Sequence, residues 1–482
     1  MAKQSPINQY LTVYAEPEAA VAANIPVVFH QALVIPAYNE DYCFLQQLAP
    51  AFTAASHPCL LILIVNRPEQ ASADKIAKNN QLINHISQSL QQQWQQQHLT
   101  LYQWLKRHYI LVVNRNQPDT FIPSQQGVGL ARKIGADIAC QLYQQQKLLS
   151  HWLFSSDADV VLPVDYFNIS SHLTDTTAAG VFNFSHEIPT TDFCENDKPP
   201  SHYKSGHYKK QLVAQQLYDI KLRYYVAGLN WANSPFAYHT IGSLLAINIP
   251  YYCQVRGFPK RAGGEDFYCL NKLAKLGRIT CLSQTIRVKA RISNRVPFGT
   301  GPALNSICQL PEPLTEYCYY QPRCFYWLKL TLYWLSQSLA TLLNPQANWQ
   351  HAFTEYLLSQ QLSSADCQSV LKVLEWLGIN KLIRHVLKQP PTPQQWQATT
   401  TDWFDGFRTL KFIHLCRDNF LPSLPLQQLI DCPIFNELSQ WGVAPLPNLQ
   451  TDPIVGLALI LDTLRHSESI NFRQGNCENN TR

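Results

Sequence analysis

Two carboxylates one residue apart close the stretch His151-Trp-Leu-Phe-Ser-Ser-Asp-Ala-Asp159. Side chains at i and i+2 of an extended chain share a face. Where a strand opens into a loop, such a pair can grip a divalent cation through hard oxygen ligands and leave coordination sites open for phosphate oxygens. An acidic turn after a buried strand would read the same way, so the neighbouring motifs have to decide. A second acidic pair, Glu265 and Asp266, follows Gly263-Gly264 at the start of an apolar-striped segment. Acids there also suit a helix N-terminus as simple caps. Gly127-Val-Gly-Leu-Ala-Arg-Lys133 opens a third segment, where glycines permit close backbone approach and Arg132 and Lys133 add positive charge. A solvated Arg-Lys pair is the plain alternative. Its two glycines are too few for a dinucleotide fingerprint.

The elements that must position these residues alternate. Pro26 to Ile35 reads as an apolar strand stopped by Pro36, followed by a helix with Phe44, Leu48, Ala51 and Phe52 on one face. Leu60–Val65, Tyr109–Val113 and Trp152–Phe154 read as further strands. Helices are expected over 71–97, with Ile76, Leu82, Ile83, Ile86 and Leu90 as a stripe, and over 127–146. Short apolar strands alternating with amphipathic helices predict an α/β fold whose mostly parallel sheet is covered on both faces. Ligands of such sheets bind beyond the carboxyl ends of the strands, where the loops at 36–41, 66–69, 114–129 and 155–159 converge.

Val34-Ile-Pro-Ala-Tyr-Asn-Glu40, Asp157-Ala-Asp159 and Gly263-Gly-Glu-Asp266, in that order, resemble the family 2 glycosyltransferases of the GT-A fold, of bacterial type. The resemblance covers residues 27–300. It implies transfer of a sugar from a nucleoside-diphosphate donor, a UDP- or GDP-sugar, aided by Mn²⁺ or Mg²⁺. It implies that Asp159 ligates the metal and that Asp157 contacts the ribose or the metal. It further implies that Asp266 is the general base, with Glu265 as second candidate, and that the configuration inverts. Pro36, Ala37, Tyr38 and Glu40 would meet the nucleotide, and Arg132 would sit near the diphosphate. The family often has an Asp after the second strand to read the base. Asn66 stands there instead, which leaves the base identity open. A retaining transferase, a sugar nucleotidyltransferase and a non-catalytic nucleotide-sugar binding protein remain as alternatives.

Arg287, Lys289, Arg291 and Arg295 gather before Gly299-Thr-Gly301; as alternating strand residues they could face diphosphate or an anionic acceptor, or solvent. The polar segment 187–206 reads as an acceptor-side or lid loop. Residues 1–26 read as an irregular lead-in, 27–300 as the GT-A-like domain, and 301–482 as an α-helical accessory domain with a polar, frayed tail. Neither His151 nor His239 shows a reason to join a metal site.

At 482 residues the chain exceeds one ordinary core. A net charge of +5 without a basic block argues against nucleic acid as a partner. The 14 cysteines show no CxxC pairs and the start lacks an apolar targeting segment, so buried thiols in a reducing, cytoplasmic setting are expected. No stretch reaches the ~20 apolar residues a membrane span needs. The nearest, Trp327 to Leu343, is broken by Lys329, Ser336, Gln337 and Ser338, and reads as a buried helix, with docking at the inner face of a membrane as the lesser alternative.

Overall fold

The computed structural model describes residues 5–169, 173–187, 205–290, 299–344, 346–430, 432, 436 and 452–478. The chain forms two compact units, Met1–Tyr208 with Thr240–Asn305, and Lys209–His239 with Ser306–Arg482. The long helix Ser205–Trp231 lies almost wholly in the second unit, whereas its sequence position puts it inside 27–300.

The first unit is built on a ten-stranded mixed sheet. Its strands are β1 (Gln31–Ala37), β2 (Cys59–Asn66), β3 (Gln92–Gln96), β4 (Leu99–Trp104), β5 (His108–Arg115), β6 (Trp152–Ser155), β7 (Val160–Val161), β8 (Thr177–Glu187), β9 (Leu245–Asn248) and β10 (Arg278–Lys289), in the order β3-β4-β5-β2-β1-β6-β9-β8-β10-β7. The centre, β5-β2-β1-β6, is parallel, as the alternating pattern predicts. Every residue of β2 is buried, which is what a continuous Leu/Ile/Val run in a doubly covered sheet must do. Antiparallel pairs flank this centre on both sides.

Pro36 does not stop β1. It pairs in register with Ile64, and Ala37 with Val65. The reason lies on the other side of the strand: β1 meets β6 only from Ala32 to Val34, and the last bond there is Ser156 N–H donating to the Val34 carbonyl. Alternation directs the position of Pro36 toward that same edge, where β6 has already turned away and no N–H is needed. The sheet therefore splits between the ends of β1 and β6. Chain order also reverses there, since β1 leads outward to β2 on one side while β6 lies on the other, and that is where open α/β sheets take ligands.

Helices α1 (Pro6–Val13), α2 (Pro17–Ala22), α3 (Phe44–Ala54), α4 (Ala73–Ser89) and α5 (Gly127–Gln144) come before β6. Residues 6–22 are thus two helices with a fully buried Tyr10, in place of an irregular lead-in. Each starts with proline at its first turn, and the Ser5 side chain caps α1 by accepting from the Asn8 N–H. The expected helix over 71–97 ends at Ser89. The Gln-rich remainder forms the β3–β4 hairpin, turned at Gln97, whose φ is +52°. Gln is a good helix former by propensity, but pairing to β5 through β4 overrides that preference. No helix forms at 163–167, where turns follow β7.

The second unit is helical, as expected after about residue 302. The run from Trp327 breaks at Ser338 into Pro322–Gln337 and Leu339–Leu343, and its Trp327, Leu328, Trp334 and Leu335 are buried. Among the described residues no helix is long and apolar enough to cross a membrane. Within this unit His239 meets Glu468 at 2.9 Å, and Arg223 also donates to Glu468. Eleven described cysteines are free thiols, but Cys43 is disulfide-bonded.

Candidate functional site

The split between β1 and β6 is bounded by three loops that leave the parallel strands at their carboxyl ends. After β6 the chain runs Ser155-Ser-Asp-Ala-Asp159 and re-enters the sheet at β7, which pairs with Arg287–Val288 of β10. Asp159 is fixed at that re-entry, its carbonyl accepting from the Lys289 N–H at 2.9 Å. Ser156 is clamped by the Val34 carbonyl through its N–H and by the Ser243 carbonyl through its Oγ at 2.9 Å.

Arg132 organises the acids. Its guanidinium, 2% exposed, donates to Glu265 Oε1 at 2.7 Å, Ser155 Oγ at 2.9 Å, the Ser156 carbonyl at 3.1 Å and Asp157 Oδ1 at 2.5 Å. One residue of α5 thus bridges two acidic motifs more than a hundred positions apart. This fork is the geometry only arginine supplies. The sequence suggests Arg132 for a diphosphate; the structure engages all three guanidinium nitrogens with protein. The GxG likewise serves packing: the Gly129 N–H donates to the Arg261 carbonyl at 3.0 Å, and a Cβ there would collide with the backbone of Pro259 and Arg261. Lys133 is buried too, paired with Asp137 at 2.7 Å, so neither member of the Arg-Lys pair is solvated. Burial on every side of α5, where one apolar stripe is expected, follows from its place between sheet, loop and helices.

The helix Glu265–Leu273, which follows the short helix Ile249–Gln254, begins at the second acidic pair, with Gly264 at φ +73° before it. Glu265 is buried and bound to Arg132, while Asp266 accepts the N–H of Phe267 at 2.7 Å. Burial first, then the neighbouring Glu265 carboxylate, pushes the Asp266 carboxyl up to about 7. Burial also raises Asp157, against the pull of Arg132.

The residues expected from sequence to meet a nucleotide lie at and just beyond the end of β1 and at the end of β2. Ala37 and Glu40 are buried, Pro36 and Tyr38 half-buried, and Lys75 stands 5.9 Å from the Tyr38 ring centroid. Asn66, at the last position of β2, is buried with its Oδ1 lacking a hydrogen-bond partner. That orphaned acceptor at a strand end is unusual enough to point toward a ligand donor.

Sequence reasoning missed the residue that holds these loops together. Asn79 of α4, fully buried, accepts from the Asn39 N–H at 2.9 Å and donates to the Asn66 carbonyl at 2.9 Å and to Asn116 Oδ1 at 3.0 Å. The ends of β1, β2 and β5 are thereby tied by one side chain. An Asn on the apolar stripe itself, three residues from both Ile76 and Leu82, is the signal that could have found it. Asn39 itself takes φ +59°, a backbone state Asn tolerates better than most residues.

Arg291 and Arg295, and most of the segment 187–206, lie outside the described residues. Arg287 is half exposed and meets Glu187 at 3.4 Å, and Thr300 opens a helix in place of a free glycine turn. Among the described residues no three His, Cys, Asp or Glu side chains cluster as a metal cage. Asp157 keeps about a third of its side-chain surface open, and only its Oδ1 faces Arg132. With Asp159 on the same short loop, the residues fit a Mg²⁺- or Mn²⁺-type ion that is held by one or two carboxylates and completes its shell with water and substrate phosphates.

No protein-family model matches the chain, and no curated protein matches it. Among solved structures it is similar to S. aureus TarS 1-349 in complex with UDP-GlcNAc, at 11% identity and a TM-score of 0.33 over 92% of each chain. It is also similar to the mannosyltransferase PcManGT from Pyrobaculum calidifontis in complex with GDP-Man and Mn²⁺, at 12% identity and a TM-score of 0.29 over 82% of this chain and 94% of that one.

Proposed function

We propose that the chain is a glycosyltransferase moving a sugar from a nucleoside-diphosphate donor to an acceptor hydroxyl, with inversion, in the crevice between β1 and β6. The observation that carries this reading is Asp266. A carboxyl held at about 7, and linked through Glu265 and Arg132 to the acidic loop after β6, is matched to general-base work near neutral pH. In direct displacement the base serves the attacking hydroxyl on the face opposite the departing group, and this reading gives those two roles to the two acidic motifs. Asp266 takes the acceptor proton as the hydroxyl oxygen attacks the anomeric carbon. The donor diphosphate leaves from the opposite side, toward Asp157 and Asp159. Mn²⁺ or Mg²⁺ bound there would offset the charge gathering on the leaving group.

Glu265 has a different task. Bound to Arg132 and adjacent to Asp266, it adds to burial in raising the Asp266 carboxyl. On the donor side Tyr38 and Glu40 line the nucleotide, and the unpartnered Asn66 Oδ1 accepts a base N–H, as a UDP or GDP donor would offer.

Thermal unfolding with a panel of UDP- and GDP-sugars, with and without Mn²⁺, tests the reading, because a ligand bound to the folded state raises its stability by mass action. Stabilisation is expected with metal and is expected to vanish in Asp159→Ala. Binding that ignores the metal would sink the metal site, and no stabilisation by any nucleotide sugar would sink the function.

A further inference from the structure

The loop that delivers Asp266, residues 256–264, rests on a part of the chain that has no place in the proposed chemistry. Asp137 of α5, fully buried, accepts hydrogen bonds from the hydroxyl of Tyr10, the Tyr252 hydroxyl at 3.2 Å, Lys133 Nζ at 2.7 Å and the Glu16 N–H at 2.8 Å. Lys133 also donates to the Tyr10 hydroxyl at 2.7 Å. Two of these four donors, Tyr10 of α1 and Glu16 at the N-cap of α2, belong to the N-terminal segment. The loop begins on top of this node: Gly257 has φ +69°, and a Cβ there would collide with the hydroxyls of Tyr10 and Tyr252.

The loop is then gripped along its length. The Arg256 guanidinium lies 4.8 Å from the Tyr14 ring centroid, and Lys260 Nζ meets Glu16 Oε1 at 2.6 Å. On its other side the Arg261 carbonyl accepts the Gly129 N–H. Arg132 and Lys133 are consecutive on α5, so one helix turn carries both the tie to Glu265 and the tie to the node.

We propose that the N-terminal helices, residues 6–22, are a positioning element for Asp266, acting through the Tyr10–Asp137–Lys133 node and the Glu16–Lys260 pair on the loop before it. Resting on the reading of Asp266 as the base, the inference predicts a catalytic defect without a binding defect. A loop displaced by about an ångström can cost on the order of 10²-fold in rate while leaving the donor side alone.

The test pairs a break in this ion pair with its repair. Lys260→Glu, at the more exposed partner, and Glu16→Lys each cut the tie, and the double variant reverses the pair. Each single variant is expected to lower kcat roughly tenfold with the donor KM unchanged, and the double variant to restore it. Tyr10→Phe, which keeps the ring and removes the hydroxyl, is expected to lower kcat further. Hydrogen exchange of residues 257–266 supplies a readout independent of turnover, with faster exchange expected in each single variant and recovery in the double. Unchanged kcat and unchanged exchange in the single variants would overturn the proposal, as would failure of the double variant to recover either. Should the wild-type chain transfer no sugar while exchange still follows the pair, the function falls and the loop anchor stands.

Discussion

Arg132 and Lys133 are neighbours in the chain, yet they serve opposite kinds of ion cluster. Consecutive helix positions point about 100° apart, so one side chain reaches the crevice and the other the interior. On the crevice side Arg132 binds Asp157 and Glu265, and Asp157 still meets solvent over 35% of its side chain. On the interior side Lys133 and Asp137 are sealed at 4% and 0%, with the tyrosines Tyr10 and Tyr252 closing the remaining valences. Both clusters balance charge and satisfy hydrogen bonds. What separates them is access: the first keeps an acid partly open to solvent, and the second is sealed and acts only through the segments it ties together. A charged residue type carries little functional meaning until its burial and partners are known.

The sharpest way to break this contrast is at the crevice. Asp266→Asn should lower sugar transfer by roughly 10²- to 10⁴-fold, the usual worth of a positioned base, while Mn²⁺-dependent nucleotide binding persists. Transfer that survives the substitution would make the crevice acids structural as well. In the interior the currency is stability. Asp137→Asn leaves the Lys133 ammonium buried without its counter-charge and should cost about 3–5 kcal/mol in chemical denaturation. Asp157→Asn, at a partly solvated site, should cost about 1 kcal/mol or less. Equal costs for the two would mean that burial is not what distinguishes the clusters.

A further difference is a pH signature. Because the Asp266 carboxyl sits at about 7 in the folded chain, against an ordinary value of 3.8, the folded state holds a proton that the unfolded chain has released across that window. Stability contributed by this group therefore falls as pH rises from about 4 to 7. The turnover rate should rise through pH 7 as the base ionises. Asp266→Asn should gain stability on the wild type between pH 5 and pH 8, measured as the difference in unfolding midpoint.

Much of this molecule was legible as sequence. The four parallel strands, the helix over 127–144 and the helical second part follow from periodicity and apolar runs, which report burial directly. The three motifs of the crevice stand out because acids and glycines at strand ends are not what packing asks for. Boundaries failed where two local preferences competed, as in the Gln-rich stretch after Ser89, which pairs as a hairpin because an edge of the sheet was available.

By itself, then, the chain's order of residue types determined the alternation of strands and helices and the presence of two acidic pairs at helix or strand ends. Only the tertiary structure decided that Arg132 would join those pairs, that Asn79 would tie three loops, and that Tyr10 would lie under the loop before Asp266. The reason is physical. Periodicity encodes which faces are apolar, a local property. The partner of a buried polar group is set by whichever distant segment the closed fold brings within hydrogen-bond reach, and no local pattern records that choice.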